Sequence, residues 1–134
     1  MTPSKPNGIK LELFIFDIFP FLEKQFVVFS VPREDEFSPL KNAPGTAVDC
    51  PETSRRDVYQ QCVRYIKDAG GDIVLVPGSK AAEKLKEGSP EYPIFEISPL
   101  VSYDGEALES VKGKSLKLEQ PVYIASKADL NKFQ

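Results

Sequence analysis

The uneven distribution of phenylalanine constrains this chain more than any other feature of its sequence. Seven of the nine phenylalanines lie between Phe14 and Phe37, and only Phe95 and Phe133 follow them. Aromatic side chains bury a large apolar area, so a segment of this composition needs a large apolar partner surface. We expect either that the remaining residues supply this surface or that the chain is a piece of a larger protein.

Composition narrows the class of protein. A length of 134 residues fits one domain of ordinary size, and a hydrophobic content of 41% is enough for a core. The formal net charge of −3 lacks the basic excess that is typical of nucleic-acid binders. The sequence has no run of eighteen apolar residues and no signal-peptide pattern in its first ten residues. We therefore expect a cytoplasmic protein with no nucleic-acid partner and no membrane contact.

Two residue types exclude common kinds of site. The chain has no histidine, which excludes a Ser-His-Asp or Cys-His triad and removes the commonest neutral metal ligand. Cys50 and Cys62 are twelve residues apart, so they form neither a CxxC pair nor a zinc framework. They are predicted to be free thiols in a reducing compartment, although one disulfide between them is geometrically allowed.

The early segment is predicted to form an aromatic helix-strand unit. Apolar residues recur over residues 11–22 with the spacing of an amphipathic helix, and Pro20 breaks or kinks its end. A strand remains an alternative for this segment. The unbroken apolar run over residues 26–31 predicts a buried strand ended by Pro32.

The remaining chain is predicted to contain one long helix and several short strands. Glu52 or Thr53 is predicted to cap the helix, which continues to Ala69, where Gly70-Gly71 stops it. Strands are predicted over residues 73–76, 94–97, 100–103, 108–111, 115–118 and 122–124, and helical turns over 81–86 and 126–134. The predicted fold class is mixed α/β of the α+β type, with the aromatic unit and a small, mostly antiparallel sheet packed on the long helix.

The charged segment after the first strand contains a candidate anion-binding residue. Lys41 follows the Pro-stiffened turn at Ser38-Pro39, so its ammonium could neutralise phosphate oxygens from a fixed place. The three carboxylates over residues 34–36 fit a solvated loop better than a metal site, because adjacent side chains do not converge easily. Lys10 reads as a surface lysine and Arg55-Arg56 as a solvated helix face, and nothing in the sequence brings Glu96 and Glu106 together as an acid-base pair.

Three stretches together resemble one family of enzymes. The order and spacing of their residues resemble the C-terminal part of eukaryotic UDP-N-acetylglucosamine (UDP-N-acetylhexosamine) pyrophosphorylases. The match is weakest over residues 43–51 and 78–92. The stretches are residues 5–19, residues 26–29 with 33–42 (ending in Ser-Pro-Leu-Lys-Asn), and residues 96–103 with 105–106 and 108–109.

The resemblance implies a reaction and a set of site residues. Family members join UTP and N-acetylglucosamine 1-phosphate into UDP-N-acetylglucosamine and pyrophosphate, with Mg²⁺. Lys41 is then the catalytic lysine that contacts the phosphates, and Lys10 matches a basic position near them. Phe14 and Phe16, in the Phe-x-Phe-Asp motif, border the sugar pocket. The family's glycine-rich UTP loop, most uridine contacts and its metal-binding acidic residue have no counterpart here, so we expect no Mg²⁺ ligands in this chain and no activity of the chain alone.

The resemblance also implies a division of the chain. Residues 1–42 correspond to a substrate-side segment of the central catalytic domain, and residues 52–134 to a small C-terminal α+β domain. The expected partners are the family's N-terminal and central domains, and a homo-oligomer remains open. An alternative function is a non-catalytic interdomain or oligomerisation module. A third alternative, an unrelated regulatory domain, predicts no affinity for UDP-sugars.

Overall fold

The computed structural model describes residues 3–22, 26–82 and 94–134, which fall into two compact units, Met1–Ser30 and Val31–Gln134. The first unit contains one short 3₁₀ helix, η1 (Ile15–Phe21), which begins where the Asp17 carboxylate accepts a 2.8 Å hydrogen bond from the Phe14 amide. No described side chain of this unit is fully buried. Two ring pairs stack, Phe14 on Phe16 and Phe19 on Phe26.

Two predictions for the first unit are wrong. The amphipathic helix over residues 11–22 is replaced by the seven residues of η1, which include Pro20 and bury none of their side chains. An amphipathic helix gains most of its stability from packing its apolar face, and no side chain among the described residues of this unit is buried to provide such packing. The strand predicted over residues 26–31 is also wrong, because these residues are exposed and form no strand.

The second unit is built around helix α2 (Pro51–Asp68), which confirms the predicted long helix. Cys50 caps its start, since the Cys50 amide donates to Thr53 Oγ1 at 3.0 Å and Pro51 occupies the first turn. Its end is a Schellman motif: Gly70, at φ +82°, donates to the Lys67 carbonyl, and Gly71 donates to the Ile66 carbonyl. A shorter helix, α1 (Arg33–Glu36), precedes it.

The strands of the second unit pair in parallel, so the predicted mostly antiparallel sheet is wrong. Strand β1 (Asp72–Leu75) pairs with β3 (Ser115–Leu118), and β2 (Phe95–Ile97) pairs with β4 (Val122–Ile124). Each pair is a separate two-stranded sheet. Parallel partners need a crossover connection rather than a tight turn, and the sequence between paired strands is long in both cases. The strands themselves are confirmed at four of the six predicted places.

Two predicted strands are turns instead. Residues 100–103 form a turn, and residues 108–111 contain the 3₁₀ helix η2 (Glu109–Val111). Gly105 and Ala107, both at positive φ, separate them and interrupt the extended backbone. The predicted final helical turn is confirmed as the 3₁₀ helix η3 (Lys127–Lys132), whereas most of the predicted turns over residues 81–86 lie outside the described residues.

The core lies between α2 and the two sheets. Phe95, which is fully buried, packs edge-to-face against Phe133 with ring centroids 6.4 Å apart. On α2 the buried residues are Cys62, Val63 and Ile66; Val58, predicted to face inward, is 42% exposed. Both cysteines are buried free thiols, as predicted, and the reducing compartment stays a prediction. Across the described ranges, no helix combines the length and the apolar character needed to cross a membrane. The other fully buried large side chains are Ile66, Leu108, Val111, Leu118 and Ile124.

Candidate functional site

The segment over residues 33–42, which contains the Ser-Pro-Leu-Lys-Asn motif, is hydrogen-bonded to α2. At its start, the Gln61 side chain donates to the Asp35 carbonyl at 2.9 Å. The Arg64 guanidinium donates to the Glu34 carbonyl at 2.7 Å and to the Asp35 carboxylate at 3.0 Å. Helix α1 is too short to be stable by itself, so these contacts from α2 hold it in place.

The turn at Ser38-Pro39 has its own contact with α2. The Ser38 hydroxyl donates to Asp57 Oδ2 at 2.7 Å, and the other carboxylate oxygen of Asp57 lies 3.1 Å from Arg56 Nε. A hydroxyl-carboxylate hydrogen bond is charge-assisted and therefore stronger than a neutral one. The turn that leads into Lys41 is thus held by a side chain from the second turn of α2.

The backbone at Lys41 is held by a third contact. The Asp49 carbonyl accepts hydrogen bonds from the amides of both Lys41, at 2.8 Å, and Asn42, at 2.9 Å. The Asn42 side chain adds a 2.9 Å hydrogen bond to the Val48 carbonyl. The position of the Lys41 Cα is therefore fixed relative to the loop that leads into α2.

The Lys41 side chain is exposed and lies near an aromatic ring. Its Nζ is 6.0 Å from the centroid of the Phe37 ring, and the guanidinium carbon of Arg33 is 4.5 Å from the same ring. Arg33 also faces the Asp49 carboxylate at 3.7 Å. An exposed ammonium on a fixed backbone can bind phosphate oxygens through point-charge attraction and three donors.

A shallow groove of 330 Å³ lies beside this segment, between it and the start of α2. It contains two guanidinium groups, those of Arg33 and Arg56, each facing a carboxylate: Asp49 for Arg33 and Asp57 for Arg56. Each guanidinium therefore has part of its positive charge balanced by a carboxylate within the groove. Arg55 is exposed on the helix, as predicted for a solvated face.

The other residues predicted for the site lie in the first unit. Lys10 is exposed and forms an ion pair with Glu12. Phe14 and Phe16 are brought together as a stacked pair, with ring centroids 5.0 Å apart and planes within 7° of each other. Each ring is about half exposed, so the pair presents a flat apolar surface.

Asp49 and Asp57 are the residues that sequence reasoning missed. Asp57 lies within the predicted helix, where an exposed acidic residue is ordinary, and it meets Ser38 nineteen positions away. Asp49 acts through its backbone carbonyl, which no side-chain pattern reveals. The only feature of the sequence that could have pointed to Asp49 is its residue type, because the short polar side chain of aspartate tolerates positive φ.

Glu106 stabilises a turn. Nothing in the sequence was a reason to pair it with Glu96 as an acid and base. Its carboxylate accepts hydrogen bonds from the amides of Asp104, at 2.7 Å, and Tyr103, at 3.0 Å, and from the Ser102 hydroxyl at 3.1 Å. The two backbone amides are the main cause that lowers the pKa of the Glu106 carboxyl from 4.5 to about 2. Its role is to hold the turn that follows β2.

This lowered pKa predicts a pH-dependent contribution to stability. Because the folded pKa of Glu106 lies below the unfolded value, its contribution is complete above pH 4.5 and is lost as the pH falls toward 2. The difference in free energy of unfolding between the wild type and Glu106→Gln is therefore expected to be constant above pH 5 and to shrink between about pH 4.5 and 2. Urea unfolding at several pH values measures it, and a difference that does not change with pH would contradict the assignment.

The described residues do not form a metal site. No group of three Cys, Asp or Glu side chains within residues 3–22, 26–82 and 94–134 is arranged to hold an ion. In the acidic run over residues 34–36, the Asp35 carboxylate is already engaged by Arg64. Mg²⁺ at phosphate-transfer sites is usually held by one or two carboxylates together with substrate phosphates, so only a site built from protein side chains alone is excluded for these residues.

Comparison with known proteins identifies the family. No family model matches the sequence. A UDP-N-acetylhexosamine pyrophosphorylase-like protein 1 from Xenopus tropicalis is 49% identical over 113 residues, which cover 82% of this chain and 22% of the relative. The UDP-N-acetylglucosamine pyrophosphorylase of Saccharomyces cerevisiae is 41% identical over 113 residues, which cover 84% of this chain and 20% of the relative.

A solved structure shows the same relationship. An Entamoeba histolytica protein that carries the name UDP-N-acetylglucosamine pyrophosphorylase matches with a TM-score of 0.68 and 34% sequence identity. The match covers 93% of this chain and 27% of that chain. The chain thus spans about a fifth to a quarter of the length of the relatives that it matches. These identities confirm the resemblance seen in the motifs: the chain belongs to the UDP-N-acetylhexosamine pyrophosphorylase family, and it matches the C-terminal portion of its relatives.

Proposed function

We propose that this chain forms the Lys41-bearing part of a uridylyltransferase that makes UDP-N-acetylglucosamine and pyrophosphate from UTP and N-acetylglucosamine 1-phosphate. The observation that carries the proposal is the anchored segment over residues 33–42. Lys41 is an exposed cation on a backbone that is held through the Asp49 carbonyl and the Ser38-Asp57 hydrogen bond. The relatives in yeast and Dictyostelium discoideum carry the name UDP-N-acetylglucosamine pyrophosphorylase, which supports a reaction of this class.

The chemistry explains why a fixed lysine matters. A phosphate oxygen of the sugar phosphate attacks the α-phosphorus of UTP, forming a new P–O bond. The bond between the α-phosphorus and the bridging oxygen breaks, and its electron pair leaves with pyrophosphate. Two polyanions must approach each other, so positioning and positive charge lower the barrier. The attacking oxygen is already anionic and needs no general base.

The remaining site residues have proposed binding roles. Lys10, which forms an ion pair with Glu12 in the first unit, contributes a positive charge to the binding of the anionic substrates. The stacked rings of Phe14 and Phe16 form an apolar wall against the sugar. The reaction uses Mg²⁺ whose ligands lie outside this chain, so no step is assigned to the ion here. By the same reasoning we propose that the chain has no turnover by itself.

A chimeric enzyme tests this function. In the Saccharomyces cerevisiae relative, the region matched by this chain is replaced by the chain itself, and pyrophosphate release is measured with UTP and N-acetylglucosamine 1-phosphate. We expect turnover by the chimera and none by the isolated chain. A chimera that folds, as judged by a cooperative thermal transition, but shows no turnover would overturn the proposal.

A non-catalytic packing role is the second candidate, favoured by the exposed apolar side chains of the first unit. Ile9, Leu11 and Leu13 are all more than 90% exposed. A cluster of this kind marks a contact surface. The two functions are distinguished by Lys41→Ala in the chimera, because a packing module would tolerate the loss of this one exposed ammonium.

A further inference from the structure

We propose that Asp49 is the positioning residue for Lys41, acting through its left-handed backbone rather than through its carboxylate. The inference rests on the proposed function, since it concerns the placement of the phosphate-binding lysine. Asp49 lies outside the Ser-Pro-Leu-Lys-Asn motif and contacts it through space. Its single carbonyl oxygen accepts the amide hydrogens of both Lys41 and Asn42.

The backbone conformation of Asp49 is what directs this carbonyl. Asp49 has a φ of +52°, one of two positive values at non-glycine residues among those described. Rotation of Asp49 into the ordinary region of negative φ would turn the peptide plane and carry the oxygen away from both amides. Asp and Asn adopt positive φ more readily than other residues with a side chain, and β-branched residues strongly disfavour it.

The residue after Asp49 connects the Asp49 carbonyl to the start of helix α2. Cys50 is 1% exposed, caps α2 through the Thr53 hydroxyl, and places its Sγ 3.2 Å from the Thr46 carbonyl. Asp49 is therefore the link between the start of an 18-residue helix and the backbone of Lys41. On the other side, the Arg33 guanidinium faces its carboxylate at 3.7 Å, a weak and half-exposed ion pair.

Variants at this position separate the backbone role from the charge. Asp49→Asn keeps the preference for positive φ and removes the charge that faces Arg33, whereas Asp49→Val opposes positive φ. In the chimera, Asp49→Val is expected to lower kcat/KM by roughly tenfold to a hundredfold, because a displacement of about 1 Å is enough for such a loss. Asp49→Asn should stay within about threefold of the wild type, since an exposed ion pair contributes little.

Hydrogen exchange gives a readout that is independent of turnover. In the chain itself, the Lys41 and Asn42 amides should exchange faster in Asp49→Val and at the wild-type rate in Asp49→Asn. If Asp49→Val does not fold, Asp49→Ala replaces it, because alanine also disfavours positive φ but has no β-branch. We expect Asp49→Ala to speed the exchange of the Lys41 and Asn42 amides and to lower kcat/KM. The melting temperature of each variant reports whether the fold is intact.

The outcomes separate the two proposals. If Lys41→Ala reduces turnover while the folded Asp49→Val or Asp49→Ala variant does not, the role of Asp49 is overturned and the role of Lys41 stands. If Asp49→Asn lowers kcat/KM as much as Asp49→Val does, the carboxylate matters rather than the backbone, and the inference is wrong. If Lys41→Ala leaves turnover unchanged, both the proposed function of Lys41 and the positioning role fail together.

Discussion

Lys41→Ala in the chimeric enzyme is expected to lower kcat/KM by about 10²–10³-fold, the usual effect of removing one fixed donor from developing charge. The backbone amide of Lys41 is held at 2.8 Å from the Asp49 carbonyl, so the ammonium is presented from a fixed point. Because the backbone is held, only the side-chain torsions of Lys41 must be ordered when the ammonium meets developing phosphoryl charge. Lys41→Arg keeps the charge but not the geometry, so it should lower kcat/KM by less than Lys41→Ala does.

The measurement is steady-state pyrophosphate release at varied N-acetylglucosamine 1-phosphate and saturating UTP. Lys114→Ala is the matched control, because Lys114 is an exposed lysine of the same unit outside the anchored segment. We expect the control to stay within about twofold of the wild type, as is usual for a surface substitution. A loss under about threefold in Lys41→Ala would contradict a phosphate-binding role.

Phe95→Ala is expected to destabilise the chain by about 3–5 kcal/mol, the range for deleting a buried aromatic ring. Phe95 is fully buried at the first position of β2, and its ring meets Phe133 edge-to-face at 6.4 Å. The substitution removes both the apolar burial and the aromatic contact, and the rigid neighbours cannot close the cavity completely. A loss of this size is a large fraction of the stability of a small domain.

Urea unfolding followed by far-ultraviolet circular dichroism measures this loss. Leu100→Ala is the control, since Leu100 is 91% exposed in the turn after β2. The control should change the free energy of unfolding by less than about 0.5 kcal/mol. If Phe95→Ala cost less than about 1 kcal/mol, the core between α2 and the sheets would not be packed as described.

Local signals predicted the second unit best. Helix α2 was foreseen because its stop signal, Gly70-Gly71, acts over a few residues and its apolar spacing repeats over several turns. The strands β3 and β4 were predicted from short β-branched and aliphatic runs. Their partners were not, because pairing depends on where distant segments meet. Nothing in the run over residues 115–118 indicates that it lies parallel to residues 72–75.

The prediction for the first unit is wrong because it follows the local pattern where no packing supports it. Its apolar spacing fits a helix, but a helix needs a surface against which to pack, and the described side chains of this unit are almost all exposed. For the site, the motif resemblance predicts Lys41, and its role in binding phosphate stays a prediction. The contacts that hold it were beyond sequence reasoning, because Ser38 meets Asp57 through a fold-dependent hydrogen bond and Asp49 contributes only a carbonyl.

A crystal structure of the chimera with UDP-N-acetylglucosamine bound tests the phosphate-binding role of Lys41 most directly. We expect Lys41 Nζ to lie within about 3.2 Å of a phosphate oxygen. We also expect the Asp49 carbonyl still to accept hydrogen bonds from the Lys41 and Asn42 amides. A bound product whose phosphates lie more than about 6 Å from Lys41 Nζ, with no bridging water, would contradict this role, since such a separation leaves no contact between the two groups.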